Sequence, residues 1–342
     1  MKVTPLETKR LTTADVEPAA GIIAKGGLLG IPTETVYGLG ANGLDSDAVH
    51  AIFDAKGRPQ DNPLILHVPS ADWLERYCEE IPPVAYELAR RFWPGPLTMI
   101  LKRRAVVPDA VTAGLDTVGM RCPDCKVTRD IIAAADVPVA APSGNASGRP
   151  SPTTAAAMLE DMEGKIDAIV DAGPCSVGVE STIIDLTVSP PRLLRPGGVT
   201  LEQLEELLGE VAVDEAVRRL MGADEKPRAP GMKYRHYAPK APVTVVKGDP
   251  HETAGYIVAR MGDKSGVICF DEFRGYFRNV PVETIGPVGD QAEHARRIFE
   301  ALRAFDHLEV EDIWAQSPED TGIGLAVTNR LNKAAGFHII EL

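Results

Sequence analysis

The sequence lacks the long apolar runs that a membrane protein needs. None of its uninterrupted apolar stretches approaches the ~20 residues of a membrane-spanning helix. The first residues, MKVTPLETKR, also lack the apolar core of a secretory signal peptide. Five cysteines, an odd number in a chain without such a signal, are not the paired set of a disulfide scaffold. We therefore expect a cytoplasmic protein without membrane contact.

The chain also lacks an excess of positive charge. Its formal net charge is −13 and its isoelectric point about 5.1, which makes broad binding to nucleic acid or to an anionic membrane improbable. A hydrophobic content of 44% and a charged content of 25% are those of an ordinary globular protein. A length of 342 residues favours two domains over one.

Several catalytic signatures are absent. The sequence contains no Walker loop, no G-x-G-x-x-G fingerprint, no H-E-x-x-H and no Ser/His/Asp order. Cys122-Pro-Asp-Cys125 is a C-x-x-C that fits a redox pair or half of a zinc site. Because no second pair follows at suitable spacing, two incidental thiols are the favoured interpretation. A redox role stays open as an alternative.

What is present is a central stretch, residues 31–68, in which polar groups sit at the ends of predicted elements. An apolar run at 28–31 predicts a buried strand, a polar turn and a Gly-rich segment follow, and Asp45 or Ser46 caps a helix ended by Gly57 and Pro59. A second strand covers 64–68. Site-forming side chains favour such ends in α/β proteins, and here they are Thr35, Lys56, Arg58, Asn62 and His67.

The rest of the chain predicts two α/β units. The first two hundred residues alternate apolar runs with helical patterns, and several strands follow one another directly, which predicts a mixed sheet. We expect a catalytic domain at 1–208, a Pro-rich linker at 209–241 and a smaller α/β domain at 242–342.

Two features indicate an anion site. The loop 143–154 is rich in Ser, Gly and Pro and opens a helix, which suits phosphate binding, although such loops are more often plain surface connections. Four cations end or follow regular elements: Lys56, Arg58, Arg121 and Arg195. Taken singly each is more often a solvated surface charge. Together they would form one pocket for an anionic ligand, although the sequence alone does not establish that all four meet in one site. On its apolar strand, His67 is interpreted as a hydrogen-bonded core residue.

Five motifs in this order resemble a known family. PTETVYGLG, K-x-R-P-x-x-x-P-L from Lys56, A-P-S-x-N-x-S-G from Ala141, G-V-E-S-T from Gly178 and R-P-G from Arg195 resemble the YrdC-like threonylcarbamoyl-AMP synthases. The segment A-P-G-M-K-Y-R-H-Y-A-P and the trailing unit resemble the larger, two-domain form. The resemblance implies a twisted mixed sheet with flanking helices, followed by a smaller Rossmann-like C-terminal domain.

The resemblance also implies an activity. It is that of a nucleotidyltransferase that condenses L-threonine, bicarbonate and ATP into threonylcarbamoyl-adenylate, releasing pyrophosphate and water. The product feeds threonylcarbamoyladenosine formation next to the tRNA anticodon, through separate transfer proteins. We expect Mg²⁺ to accompany ATP, no protein metal site and at most a weak tRNA contact. Alternatives are an RNA-binding module of the same fold, which the acidic charge disfavours, and an enzyme acting on another acceptor.

Site residues follow from the motif matches. The resemblance places threonine on Thr35, His67, Arg121, the backbone at Ala141, and Ser181. It places ATP on Arg58, Asn62, Thr117, Ser143, Ser151, Arg195 and the linker residue Tyr234. Lys56 and Arg58 are the predicted catalytic cations, near the phosphates or the carbamate. We expect Tyr234 and its neighbours to close over the site, because water destroys both carbamate and adenylate.

Overall fold

Two β-sheets organise the structure. The computed structural model describes residues 7–219, 221, 227–232 and 236–342. Within these ranges an 11-stranded sheet has the order β1-β8-β2-β3-β7-β4-β6-β5-β9-β10-β11, and a 5-stranded sheet has the order β14-β13-β15-β12-β16. We call the parts built on them the N-terminal and C-terminal units.

The large sheet combines parallel and antiparallel pairs. Strands β2 and β3 pair antiparallel, as do β9 and β10, whereas β4 pairs parallel with β6. The mixed sheet that the sequence predicts is therefore confirmed. Its strands are β1 Lys9–Thr12, β2 Leu29–Ile31, β3 Gly38–Asn42, β4 Ile65–His67, β5 Leu97–Lys102, β6 Thr117–Arg121, β7 Val139–Ala140, β8 Ala168–Asp171, β9 Thr182–Asp185, β10 Arg192–Arg195 and β11 Ala212–Val213.

Helices cover the large sheet and bury their apolar sides against it. In α2 the Asp45 carboxylate accepts hydrogen bonds from the backbone N–H groups of Asp47 and Ala48, and Gly57 ends the helix in the left-handed region. The helices are α1 Val16–Ala24, α2 Ser46–Lys56, α3 Leu74–Tyr77, α4 Pro83–Phe92, α5 Asp109–Thr112, α6 Lys126–Ala135, α7 Ala155–Met162 and α8 Leu201–Leu208. Short 3₁₀ turns occur at Ala71–Trp73 and Glu215–Val217.

The C-terminal unit is a parallel α/β layer. Each pair of neighbouring strands in its sheet runs parallel, which requires the helices to cross over between strands. Its strands are β12 Val243–Lys247, β13 Ser265–Cys269, β14 Val282–Thr284, β15 Asp312–Gln316 and β16 Ile339–Glu341. Its helices are α9 Pro250–Val258, α10 Gln291–Ala304 and α11 Gly324–Ala334, with 3₁₀ turns at Asp271–Tyr276 and Phe305–His307.

Buried contacts join the two units. Arg303 of α10 donates to the Asp161 carboxylate of α7 at 2.7 Å and to the backbone oxygen of Pro150 at 3.1 Å. Apolar residues of the N-terminal unit, Val36 and Val179, lie in the core of the C-terminal unit. Within the described residues, no helix combines the length and apolar character needed to cross a membrane.

Candidate active site

A cavity in the N-terminal unit collects most of the predicted site residues. The predicted residues that line it are Lys56, Arg58, His67, Arg121, Ala141, Ser143, Ser181 and Arg195. All four cations singled out in the sequence are among them. The structure therefore brings together side chains separated by up to 139 positions, which sequence spacing alone leaves undetermined.

Strand register places the threonine-site candidates. His67 ends β4 and lies opposite Arg121 of β6, with β7 on its other side. The Arg121 guanidinium donates to Thr35 Oγ1 at 2.8 Å and lies 2.8 Å from a Glu34 carboxylate oxygen. Glu34 is a functional candidate that the sequence reading passes over, although it lies inside the quoted motif. It balances the buried charge of Arg121.

His67 is a neutral imidazole. Burial, together with the neighbouring Arg121, lowers its pKa to about 3. Its Nδ1 has no hydrogen-bond partner among the described residues, and the side chain is only 3% exposed. An unpaired polar atom in a cavity wall is a natural contact for a bound ligand. His67 is therefore buried, as the sequence predicts for a core residue. Its Nδ1, which has no partner among the described residues, is suited to contact a ligand.

Ser181 sits beneath Arg195. The Arg195 guanidinium donates to the backbone oxygen of Ser181 at 2.9 and 3.1 Å and to its Oγ at 3.2 Å. The Ser181 hydroxyl also lies 2.8 Å from Thr98 Oγ1. Burial lowers the pKa of Arg195 to about 10, so that it remains a cation at neutral pH.

Lys56 organises the Ser/Gly loop. Its ammonium donates to the backbone oxygens of Ser143 and Asn145, and its own backbone oxygen accepts from Ser147 N at 2.8 Å. Burial and the nearby Arg58 lower the pKa of Lys56 well below its usual range. The loop is thus tied to the end of α2, and it is more than a plain surface connection.

Two other ATP candidates, Asn62 and Ser151, lie near the cavity without lining it. Asn62 is buried, and its backbone oxygen, like that of Pro63, accepts from the cavity residue Arg58, at 3.4 and 3.3 Å. Ser151 is fully buried and donates to a Glu180 carboxylate oxygen at 2.6 Å. Glu180 is the one carboxylate among the described residues that line the cavity, and its role within G-V-E-S-T is not evident from the sequence.

Thr117 and Tyr234 stand apart. Thr117 begins β6, whereas Arg121 ends it, and Thr117 lines a different cavity of about 550 Å³ together with Arg228 of the linker. Tyr234 lies outside the described residues. The nucleotide roles of both residues stay predictions.

The linker closes the cavity. Pro230, Gly231, His236 and Tyr237 line it, and the remaining space is about 50 Å³. Small-molecule sites usually hold ~300–1,000 Å³, so the described conformation leaves too little space for ATP and an amino acid together. That the linker moves to admit them stays a prediction.

Cys122 of the C-x-x-C pair does not have the character of a reactive thiolate. Burial raises the pKa of Cys122 to about 11, and its sulfur donates to the backbone oxygen of Pro69. The described part of the chain has no group of three His, Cys, Asp or Glu residues able to hold a metal. A protonated, buried thiol is a poor nucleophile, which supports two incidental thiols.

The chain resembles known proteins over its whole length. A family model described as "Telomere recombination" matches residues 21–197, and one described as "Threonylcarbamoyl-AMP synthase, C-terminal domain" matches residues 199–336. Threonylcarbamoyl-AMP synthase of Pyrococcus abyssi is 47% identical over 341 residues, covering 98% of each chain. The Bacillus subtilis protein of that name is 44% identical over 342 residues, covering 98% of this chain and 97% of the relative.

A solved structure shares the fold. The crystal structure of P. abyssi Sua5 complexed with L-threonine matches with a TM-score of 0.89 at 46% identity, covering 98% of this chain and 99% of that chain. The expected architecture, a twisted mixed sheet followed by a smaller parallel α/β unit, is thereby confirmed. The chain belongs to the threonylcarbamoyl-AMP synthase family, as its motifs predict.

Proposed function

We propose that this protein is a threonylcarbamoyl-AMP synthase acting on L-threonine, bicarbonate and ATP. The observation that carries the proposal is the convergence of Lys56, Arg58, Arg121 and Arg195 on one cavity in a chain of this family. Such a cluster suits a reaction in which a carboxylate, a carbamate and a triphosphate meet. The product supplies threonylcarbamoyladenosine formation in tRNA, through separate transfer proteins in the cytoplasm.

The chemistry needs alignment more than a protein nucleophile. The threonine amine adds to carbon dioxide derived from bicarbonate, losing a proton and giving a carbamate. A carbamate oxygen then forms a bond to the α-phosphorus of ATP, and the bond to the pyrophosphate oxygen breaks. Fixed cations stabilise the charge that moves onto the leaving oxygen. We assign this role to Arg58 and Arg195, and to Lys56 once the negative charge of the bound phosphates raises its lowered pKa. We assign carboxylate binding to Arg121.

Magnesium enters as part of the ATP substrate. The single carboxylate that lines the cavity, among the residues described, already accepts from Ser151 and from Arg330 of the C-terminal unit. We therefore expect Mg²⁺ to be held by triphosphate oxygens and water. The side chains of the cavity then contact the remaining phosphate oxygens.

Pyrophosphate release tests the proposal. We expect release from ATP only when threonine and bicarbonate are both present. We also expect a loss of at least about 100-fold in kcat/KM for Arg58→Ala, since the predicted phosphate contact is removed. Arg192→Ala is the control. It also removes an arginine of the N-terminal unit, but Arg192 lies at the start of β10, away from Arg195 at its end, and does not line the cavity.

Two outcomes would contradict the proposal. Release that ignores threonine indicates an enzyme acting on another acceptor. No release, together with tRNA binding that weakens steeply with salt, indicates the RNA-binding module.

A further inference from the structure

A side chain of the C-terminal unit reaches the wall of the active site. Arg330 lies on α11 and is completely buried. Its Nε donates to a Glu180 carboxylate oxygen at 2.8 Å, and its Nη1 donates to the backbone oxygen of Pro196 at 2.9 Å. Both partners belong to the N-terminal unit, and each neighbours a predicted site residue, Ser181 or Arg195.

Glu180 links Arg330 to the ATP site. One carboxylate oxygen accepts from Arg330 and the other from the Ser151 hydroxyl. Arg330, Glu180 and Ser151 thus form a continuous buried chain from one unit to the other. Burial by itself raises the pKa of Glu180, but Arg330, Arg195 and the two hydrogen bonds outweigh it and bring the value to about 2. The carboxylate is therefore ionised.

An ionised carboxylate in this wall needs a counter-charge. ATP brings several negative charges, and a bare carboxylate beside them would repel the phosphates in a poorly solvated cavity. The other arginine whose charge stabilises the ionised Glu180 is Arg195, and its guanidinium donates to Ser181. Because Arg330 carries the direct ion pair with Glu180, Arg195 can keep its contacts with Ser181.

The same helix face also holds the linker. Lys333 lies one turn after Arg330 on α11 and is buried. Its ammonium donates to the backbone oxygen of Gly231, a linker residue that lines the cavity. The guanidinium carbon of Arg330 lies 5.5 Å from the centre of the Tyr237 ring, also in the linker. Helix α11 therefore contacts both the wall and the cover of the site.

We propose that Arg330 is a positioning residue of the synthase: it neutralises Glu180 from the C-terminal unit, so that Ser151 and Arg195 keep the orientation that binds ATP. The inference rests on the proposed function and assigns the C-terminal unit a part in it. Arg330 itself acts through Glu180, because it does not line the cavity.

Binding of a non-hydrolysable ATP analogue, measured by calorimetry, tests this role. We expect Arg330→Met to weaken binding at least about tenfold, because it leaves Glu180 buried without its partner. Glu180→Gln in the same chain removes the charge that needs neutralising while keeping an oxygen for the Ser151 hydroxyl. The double variant should therefore bind within about threefold of Glu180→Gln alone.

Arg303→Met is the matched control. Arg303 is also a buried arginine of the C-terminal unit that reaches a carboxylate of the N-terminal unit, but neither Arg303 nor Asp161 lines the cavity. The affinity of the Arg303→Met variant for the ATP analogue should stay within about threefold of that of the unaltered chain. Arg330→Lys, which retains the charge, should restore part of the affinity and serves if the Met variant does not fold.

Three results would overturn the inference: unchanged binding in Arg330→Met, no recovery in the double variant, or an equal loss in Arg303→Met. Pyrophosphate release by the unaltered chain is measured alongside. If release depends on threonine and bicarbonate but Arg330→Met binds the analogue normally, only the role of Arg330 fails. If the unaltered chain binds no ATP analogue, the proposed function and the role of Arg330 fail together.

Discussion

Lys333 is a buried cation whose protonation is coupled to folding. Burial, with Arg330 and Arg195 nearby, lowers its pKa from 10.5 to about 7. Between these two values the unfolded chain holds the proton and the folded chain does not. The unfolded state then binds more protons, so this residue makes the free energy of unfolding rise with pH in that window.

Lys333→Met tests this coupling. The variant lacks the titrating group, so its free energy of unfolding relative to the unaltered chain should fall as pH rises from about 7 towards 10, by up to about 1.4 kcal/mol per pH unit. Urea unfolding at several pH values measures it. Lys264→Met, at an exposed lysine of the same unit, should show a nearly constant difference. A constant difference for Lys333→Met as well would contradict the coupling.

Residue-level prediction from sequence depends on a motif that carries the signal. The motif residues Lys56, Arg58 and Arg195 are recognisable because each stands at a fixed place in a short pattern. Arg330 and Lys333 are not, because they lie among ordinary helical residues. Their partners, Glu180 and Gly231, are 150 and 102 positions away, and no local pattern reports such contacts.

The linker is the element that we propose to move during turnover. Ala229 and Met232 are buried in an apolar cluster with Ile65, Ile100, Ile183 and Leu194 of the large sheet, next to the cavity. This seat holds two side chains of the linker. If the linker is a lid that opens and closes in each turnover, a small seat of this kind suits it.

Replacing residues 226–237 with a Gly/Ser segment of equal length tests the lid. The two units stay joined, but the apolar seat and the cover over the site are lost. Because water then reaches the carbamate and the adenylate, we expect less than one intact adenylate per pyrophosphate released. Chromatography of the products measures this ratio. One adenylate per pyrophosphate at an unchanged rate would contradict the lid.

Element-level prediction is least complete at β3. The Gly-rich sequence Tyr37-Gly-Leu-Gly40 predicts no strand, yet Gly38–Asn42 is a strand between β2 and β7. A Cβ on Gly40 would lie 2.9 Å from Val139 Cγ1 of β7, so the glycine permits close packing of strands. In a sequence, glycine favours the prediction of a turn. Its role in letting two strands pack closely becomes visible only when the neighbouring strand is known. Helix α2, with its Asp45 cap and Gly57 end, is predicted well because both signals are local.

On the scale of the whole molecule, the two units are held together by buried charge. Asp161 has a fully buried carboxylate that contacts Arg149 and Arg303 and accepts from Ala146 N at 3.1 Å. Arg149 also lies 2.8 Å from Asp306 of the C-terminal unit. No sequence pattern predicts this interface, because the composition gives the number of charged residues but not which of them pair.

Asp161→Asn should therefore destabilise the folded chain. It leaves two arginines at the interface short of one negative charge, and we expect a loss of about 3 kcal/mol or more in the free energy of unfolding. Urea denaturation measures the change. Asp130→Asn, in an exposed pair with Lys126, should cost less than about 1 kcal/mol. Equal losses of stability in the two variants would contradict the proposal that these buried charges hold the two units together.

The Arg330–Glu180 contact also has an evolutionary consequence. A change at position 330 leaves a carboxylate without its partner in the other unit, and a change at position 180 leaves a buried guanidinium in the same condition. Selection acting on either position therefore acts on both, so we expect their residue types to co-vary among two-domain relatives. The two halves of the gene are then not freely exchangeable: a recombinant chain inherits a working site only when both positions come from compatible parents.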